Sequence, residues 1–333
     1  MEKIIKTYRT CKGIVFVGDP HVSSTKPGRR TDKNYPETIL NKIEFIVNYC
    51  NENELVAVFL GDIYDSAIEK DEALKTRLLR LLKSFNLTPV SNVGNHDISN
   101  QTLTDHDSLK YLEEAGAIKV TAISGALETF EIAGKNVSLG ATPYGQNIPT
   151  DARQYFPKSD TIIWITHHDL AFEGAYPGSQ ELHQIKGCKL AVNGHMHLKK
   201  DLIKVGETTW YNPGNITRQA VDAIDHIPII SVLTEKGGLK TVIIPHEKSV
   251  FDLTGRLIES ISPGEKQTPK DIENNPESAF VSMLEVNSSM EMEKSDDGSI
   301  IMEDILSKFE KDQTDDVVQN IVLSIHKKSL AQT

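Results

Sequence analysis

Along the first 245 residues, short apolar runs alternate with longer stretches in which apolar residues fall at helical spacing. Gly13–Val17 and residues 56–60 and 89–93 are short and largely apolar, as expected of strands buried on both faces. Between them Ile39, Ile43, Ile46, Val47 and Cys50, and then Leu74, Leu78, Leu81, Leu82 and Phe85, repeat every 3.6 residues or so. That period predicts two amphipathic helices. Strand, helix, strand, helix, strand at this spacing predicts right-handed crossovers and a parallel sheet covered by helices. A further helix is expected around Ser108–Glu114, and a hairpin where Ala133-Gly134-Lys135 joins residues 130–132 to 137–139. Residues 162–165 and 190–192 read as strands, and residues 208–211 lead into Asn212-Pro213-Gly214-Asn215. Residues 227–233 and 239–244, joined through Lys236-Gly237-Gly238, form a closing hairpin.

Past Lys248 the texture changes. Residues 261–280 are rich in Pro, Glu, Lys and Asn and read as a linker, and residues 287–299 are polar and acidic. Ile300, Ile301, Ile305 and Phe309, then Val317, Val318, Ile321, Val322 and Ile325, suggest two short amphipathic helices. Such helices bury little alone and must pack on the main domain or on a partner. The expected division is therefore a catalytic domain over 1–247, a linker and acidic segment over 248–299, and a helical extension over 300–333.

Composition narrows the class. A length of 333 residues suits about two domains. The net charge of -11 has the wrong sign for binding nucleic acid through bulk charge. From Lys248 onward, however, 9 Lys/Arg stand against 17 Asp/Glu. Most of the excess sits there, and residues 1–247 are close to neutral. Cys11, Cys50 and Cys188 are far apart with no Cys-x-x-Cys pair, which argues against a disulfide framework or a thiolate zinc site and for a reducing compartment. No signal-like apolar region opens the chain, and no run is long enough to span a bilayer. The expectation is a soluble, cytoplasmic protein with no membrane association.

Five predicted strand ends carry the candidate chemistry. They are Gly18-Asp19-Pro20-His21, Gly61-Asp62-Ile63-Tyr64-Asp65, Gly94-Asn95-His96-Asp97, Thr166-His167-His168-Asp169 and Asn193-Gly194-His195-Met196-His197. Any one of them alone is ordinary turn chemistry. In an open α/β sheet, however, strand C-termini face one crevice, where ligands bind. The donors are oxygens and imidazoles without thiolates, which suits a catalytic site with open positions rather than a closed structural zinc. This many donors is too many for one ion and suits two ions about 4 Å apart that share a carboxylate. The loop after the first turn carries Lys26, Arg29 and Arg30, candidates for holding phosphate.

In this order the five motifs resemble the calcineurin-like metallophosphoesterase superfamily, over about residues 13–245. The resemblance implies an α/β fold, a four-layer α/β/β/α sandwich, here with a small C-terminal helical extension. It implies one metal on Asp19, His21, Asp62 and His197, and a second on Asp62, Asn95, His167 and His195, with Asp62 bridging. His167 is preferred to His168 because family members usually ligate through the first residue after the strand. His96 is implied as general acid or transition-state stabiliser, oriented by Asp97. The implied cofactors are two divalent ions, manganese first, with iron, zinc or nickel as alternatives. The implied reaction is hydrolysis by metal-activated water without a covalent phosphoenzyme.

Ser66 after Asp65, and Asp97 after His96, depart from the protein serine/threonine phosphatase branch. The SbcD-type DNA repair nuclease branch is closer. It implies DNA as substrate, exo- or endonuclease action, and docking of residues 300–328 onto an SMC-type ATPase, with a homodimer also expected. The alternative is a small-molecule phosphodiesterase or phosphatase, for instance one acting on cyclic nucleotides. A catalytically silent binding module is a third reading, against which the intact ligand set argues.

Overall fold

The computed structural model describes residues 8–172 and 178–253. In chain order its elements are β1 (Arg9–Thr10), β2 (Gly13–Val17), α1 (Tyr35–Asn53), β3 (Leu55–Phe59), α2 (Glu72–Lys83), β4 (Val90–Ser91), α3 (Ser108–Glu114), β5 (Lys119–Val120), β6 (Gly125–Ile132), β7 (Lys135–Thr142), β8 (Thr161–Thr166), β9 (Cys188–Asn193), β10 (Lys200–Val205), β11 (Thr208–Asn212), β12 (Ile229–Thr234) and β13 (Leu239–Ile243).

The strands form two sheets. One runs β13-β12-β2-β3-β4-β5, the other β1-β6-β7-β8-β9-β11-β10. The parallel run β2-β3-β4 is the sheet that the strand and helix spacing predicts; the unexpected short strand β5 extends it on one side, and the antiparallel hairpin β12-β13 closes it on the other. The second sheet, implied only by the family resemblance, is mixed. β7, β8, β9 and β11 run parallel, flanked by antiparallel β6 and β10.

Strand periodicity explains the layers. In β2, Val15 and Val17 meet the helices, while Ile14 and Phe16 point between the sheets. α1, α2 and α3 lay Ile39, Ile43, Ile46, Leu74, Leu78, Leu82, Leu109 and Leu112 on that first face. Asn34 caps α1 by accepting from Glu37 N, and Asp71 caps α2 by accepting from Ala73 N and Leu74 N. Between the sheets, Ile14, Phe16, Val56, Val58 and Leu60 pack with Leu139, Ala141, Ile163, Ile165 and Val192. On the outer face of the second sheet, Trp164 and Trp210 are covered by Ile148, Ala152, Leu170, Phe172 and Ile185, which lie in irregular segments. Full burial of each such side chain contributes about 1.5–3 kcal/mol.

β4 is shorter than the run 89–93 suggests; beyond it Asn92 N still donates to Phe59 O at 3.1 Å, while its Nδ2 donates to Thr142 O of the opposite sheet at 2.8 Å. β10 was not expected; it is an edge strand, mostly solvent-facing, that packs only Ile203 and Val205 against the outer core. Residues 250–252 pair with the loop after β2, through Thr31 N to Val250 O at 2.9 Å and Asp252 N to Arg29 O at 2.8 Å. The helices expected within 300–328 lie outside the described residues. Among the described residues no helix is long and apolar enough to cross a membrane.

Candidate metal centre

All five turns converge at the carboxyl ends of the strands. Backbone bonds tie them together before any side chain acts. His21 N donates to Asp62 O at 2.9 Å, Val22 N to Ile63 O at 2.8 Å, and Gly194 N to Thr166 O at 2.9 Å. The segment after β11 joins the first and last turns, with Ile216 N on Gly18 O and Asn215 N on His197 O. Asn193 links the last two turns. Its Oδ1 accepts from His168 N and Thr166 Oγ1, and its Nδ2 donates to His168 O and Gly194 O.

Three of the expected ligands sit in the left-handed backbone region: His21 (φ 45°), Asp62 (φ 49°) and His195 (φ 67°). Such conformations cost of order 1–3 kcal/mol each and persist where the surroundings enforce them. Gly61 (φ 123°) allows the second turn to double back. At Gly94 a Cβ would lie 2.0 Å from Asp62 Oδ1, so this turn admits the carboxylate only because glycine stands there.

The side chains form two neighbouring groups. Asp19, His21 and His197 present ligand atoms within 4.8 Å of one another, and so do Asp62, His167 and His195. His21 Nε2 lies 3.1 Å from His197 Nε2 and 3.7 Å from Asp62 Oδ2. Asp62 Oδ2 lies 3.0 Å from His167 Nε2, so this carboxylate stands between the groups. Asn95 Oδ1 is 3.3 Å from His167 Nε2 and 2.9 Å from His195 Nδ1. All seven expected ligands are thus brought together. His168 turns away: its Nε2 donates to Gln146 O at 2.8 Å and its Nδ1 accepts from His167 N.

The sequence model of the calcineurin-like phosphoesterase family matches residues 13–199. The chain belongs to this family. Among curated proteins, none matches the sequence. Solved structures similar to the phosphoesterase include a novel archaeal phosphodiesterase, at 14% identity over 69% of this chain and 99% of that one, with a TM-score of 0.37. A putative 5'-nucleotidase from Staphylococcus aureus, in complex with alpha-ketoglutarate, shares 13% identity over 72% of this chain and 56% of its own, at a TM-score of 0.42. A 5'-nucleotidase precursor from Thermus thermophilus shares 10% over 70% and 54%, at 0.43. The chain therefore spans little more than half the length of either nucleotidase. Similarity at this level says nothing about substrate.

Calcineurin-like phosphoesterases use a dimetal centre, and the residues present fit one. Both carboxylate oxygens of Asp19, and Nδ1 of His21, are buried without a hydrogen-bond partner. A buried carboxylate without donors is costly, and a cation satisfies it. His21 and His197 bring two imidazole nitrogens within 3.1 Å of each other, close enough to serve one ion. The titration of the group follows the same logic. Burial alone would lower the His167 imidazole; Asp62, by charge and by hydrogen bond, outweighs it and raises it to about 10. Asp62, against its burial, is held well below the usual carboxylate range by His167. Asp19 is raised by burial more than the His167 charge lowers it. Divalent cations would displace the protons for which these groups compete.

Two expectations need correction. Asp97 does not orient His96. Its Oδ1 accepts from Ile63 N at 2.9 Å and Tyr64 N at 3.4 Å, and its Oδ2 from Gly94 N at 3.0 Å. Burial, and then the Asp62 charge, raise it to about 7. Asp97 pins the Asp62 turn to the Gly94 turn. His96 is oriented instead by a main-chain carbonyl, its Nδ1 lying 2.8 Å from Asp65 O, while its backbone N donates to Asp62 Oδ1. Arg30 is not presented to a phosphate. Its side chain is buried, paired twice with Asp32 at 2.7 and 2.8 Å, and donates to the carbonyls of Thr217 and Arg218. Of the same loop, Lys26 is exposed and Arg29 half-buried.

The structure adds residues to the expected set. Asp65 lies 3.5 Å from His21 Nδ1 and falls within 4.8 Å of ligand atoms of His21 and His96. Asp169 lies 3.2 Å from His195 Nε2. Tyr144 tilts against the His195 ring at 5.4 Å between centroids. Asp65 and Asp169 stand within the quoted turns, so their nearness was readable; Tyr144 follows β7, where no motif marks it. A cleft of about 1050 Å³ adjoins Asn95, lined by Ser99, Asn100, Gln101, Thr102, Tyr144 and Gln146 among others.

Proposed function

We propose that this phosphoesterase is a phosphodiesterase that cuts a DNA strand, a nuclease of the SbcD type acting on single-stranded DNA or strand ends. The observation that carries the reading is the cleft beside Asn95. Its volume is at the upper end of sites that enclose one small ligand, about 1,000 Å³, and it leaves room for a chain continuing past the cut bond. Hydroxyl and amide groups line it, suited to phosphate and sugar contacts, and Tyr144 offers a face for base stacking. Among the described residues no Lys or Arg lines this cleft, which argues against a long duplex footprint.

The same neutral lining favours a second reading, a small nucleotide diester such as a cyclic nucleotide.

When bound, two divalent ions, manganese in this proposal, polarise the phosphoryl group and activate water. The chain's own residues supply the rest. Asp19, His21, Asp62 and His197 would hold one ion, and Asp62, Asn95, His167 and His195 the other. With His96 Nδ1–H donating to Asp65 O, proton uptake and release fall to Nε2. A protonated His96 there stabilises developing negative charge or protonates the leaving oxygen. Asp97 keeps the Asp62 and Gly94 turns in register.

The test is a panel run with Mn²⁺: bis-p-nitrophenyl phosphate, p-nitrophenyl phosphate, cyclic nucleotides, and single- and double-stranded DNA. Cleavage of single-stranded DNA is expected. No DNA cleavage beside brisk cyclic-nucleotide hydrolysis moves the function to the second reading. A role in DNA repair, docking of residues 300–328 on an SMC-type ATPase, a homodimer and a cytoplasmic location belong to the same proposal. Co-purification with such an ATPase and light scattering test the assembly. The three cysteines are free and buried, in keeping with a reducing compartment.

A further inference from the structure

We propose that Asp169 is a positioning residue for His195, fixing which ring nitrogen that histidine offers to its ion. The inference rests on the dimetal reading above.

A neutral imidazole carries one proton, and its partner decides which nitrogen holds it. Asp169 Oδ2 lies 3.2 Å from His195 Nε2. With an ion held between Nδ1 and Asn95 Oδ1, which stand 2.9 Å apart, the ring proton would be left on Nε2, facing Asp169. His167, in the same ligand group, is oriented differently. Its Nδ1 donates to the Leu60 carbonyl at 3.0 Å, and its Nε2 faces Asp62. One ligand is thus held by a neutral carbonyl and the other by a carboxylate, which also makes the ring a stronger donor.

The placement follows from the sheet. β8 and β9 are parallel neighbours with Thr166 opposite Asn193. The turn that supplies the ligand His167 thereby also supplies, two residues on, the group that orients a ligand on the next turn. Asn193 locks this arrangement by bonding both His168 N and His168 O. His195 lies beyond the end of β9 in a left-handed turn (φ 67°), where Asp169 reaches the ring edge opposite Asn95. The Asp169 side chain is 33% exposed, so replacing it opens no core.

The test is Mn²⁺ binding to the full chain, by calorimetry and electron paramagnetic resonance, for wild type, Asp169→Ala and Asp169→Asn. Asp169→Ala is expected to weaken one of the two Mn²⁺ ions about 10–100-fold and to leave the other near its wild-type affinity. The coupled two-ion signal should give way to that of an isolated ion at the same Mn²⁺ concentration. Turnover should recover as Mn²⁺ is raised to saturation. Asp169→Asn keeps an acceptor without the charge, should weaken the same ion to a smaller degree, and carries the test if the alanine variant does not fold. Wild-type affinity for both ions in either folded variant, or equal weakening of both ions, overturns the proposal. Failure of wild type itself to bind two ions would instead overturn the dimetal reading.

Discussion

The sharpest test of how the site is built is Gly94→Ala. Gly94 has extended backbone (φ -96°, ψ 178°), which alanine adopts without strain. Any effect must therefore come from the added methyl. That methyl would fall 2.0 Å from Asp62 Oδ1, 2.6 Å from Asp62 N and 2.7 Å from Asp62 Cγ. Ordinary carbon contacts lie near about 3.5–4.0 Å, so the Asp62 turn must retreat by more than about 1 Å. It is held in place by His167 Nε2 at 3.0 Å and His96 N at 2.8 Å, so the retreat breaks contacts on both sides. Overpacking of this kind costs about 1–3 kcal/mol, or a few degrees of melting temperature for a domain of this size. A misplacement of about 1 Å at reacting groups costs about 100-fold in rate. Gly94→Ala should thus fold, melt slightly earlier, bind less metal and lose about 100-fold in kcat/KM on bis-p-nitrophenyl phosphate. Gly28→Ala, where an added Cβ meets nothing within 4 Å, is the control. Elemental analysis, circular dichroism and initial rates measure all four quantities. A Gly94→Ala protein with two ions per chain and wild-type turnover would refute the close approach as the reason for glycine.

Other expectations follow from the same geometry. His96→Ala should keep both ions while losing about 10²–10⁴ in turnover on a poor leaving group; full activity there would remove it from proton transfer. Asp62→Ala, which takes away the carboxylate between the two groups, should lose metal and activity together, and retention of two ions would contradict the bridging role. Chelation should lower the melting temperature of wild type, since a ligand at about 100 times its dissociation constant stabilises by about 2.7 kcal/mol; an unchanged melting curve would argue against a metal shared by both sheets. Lys42 is buried, with Nζ on Ile216 O at 2.6 Å, and burial, then the Arg30 and Arg218 charges, lower it to about 7. Above pH 7 the unfolded chain still holds the Lys42 proton that the folded chain has released. Stability should therefore rise with pH from about 7 toward the ordinary lysine value, by up to about 1.4 kcal/mol per unit. Urea titrations between pH 7 and 9 should show this slope in wild type and lose it in Lys42→Met; equal slopes would sink the assignment.

Much of the site was legible because its chemistry is local. Asp, Asn or His at the end of a buried apolar run, after a glycine in four of the five turns, marks each expected ligand turn without knowledge of the rest. The parallel core of the first sheet was legible from helix and strand periods, and α3 was read to its end residues. The second sheet was not, because pairing between distant strands leaves no period in the chain; only the family resemblance implied it. The order of polar contacts was also hidden. Asp97 follows His96 in sequence, yet the three backbone N–H groups around it claim its carboxylate, and the ring turns to the Asp65 carbonyl. Arg30 reads as a phosphate holder in a polar loop, but Asp32 and the carbonyls of residues 217 and 218 bury it. Adjacency marks neighbours well and partners poorly.

Each ligand group draws on both sheets. Asp19, His21 and Asp62 leave the strand ends of one, and His167, His195 and His197 those of the other. An ion held there would act as a rivet through the apolar layer of Phe16, Val58, Ile163 and Ile165. Any slippage between the sheets would then be felt first as a change in coordination. Substitutions deep in that layer, far from water and substrate, should therefore surface as altered metal affinity before they register as lost folding.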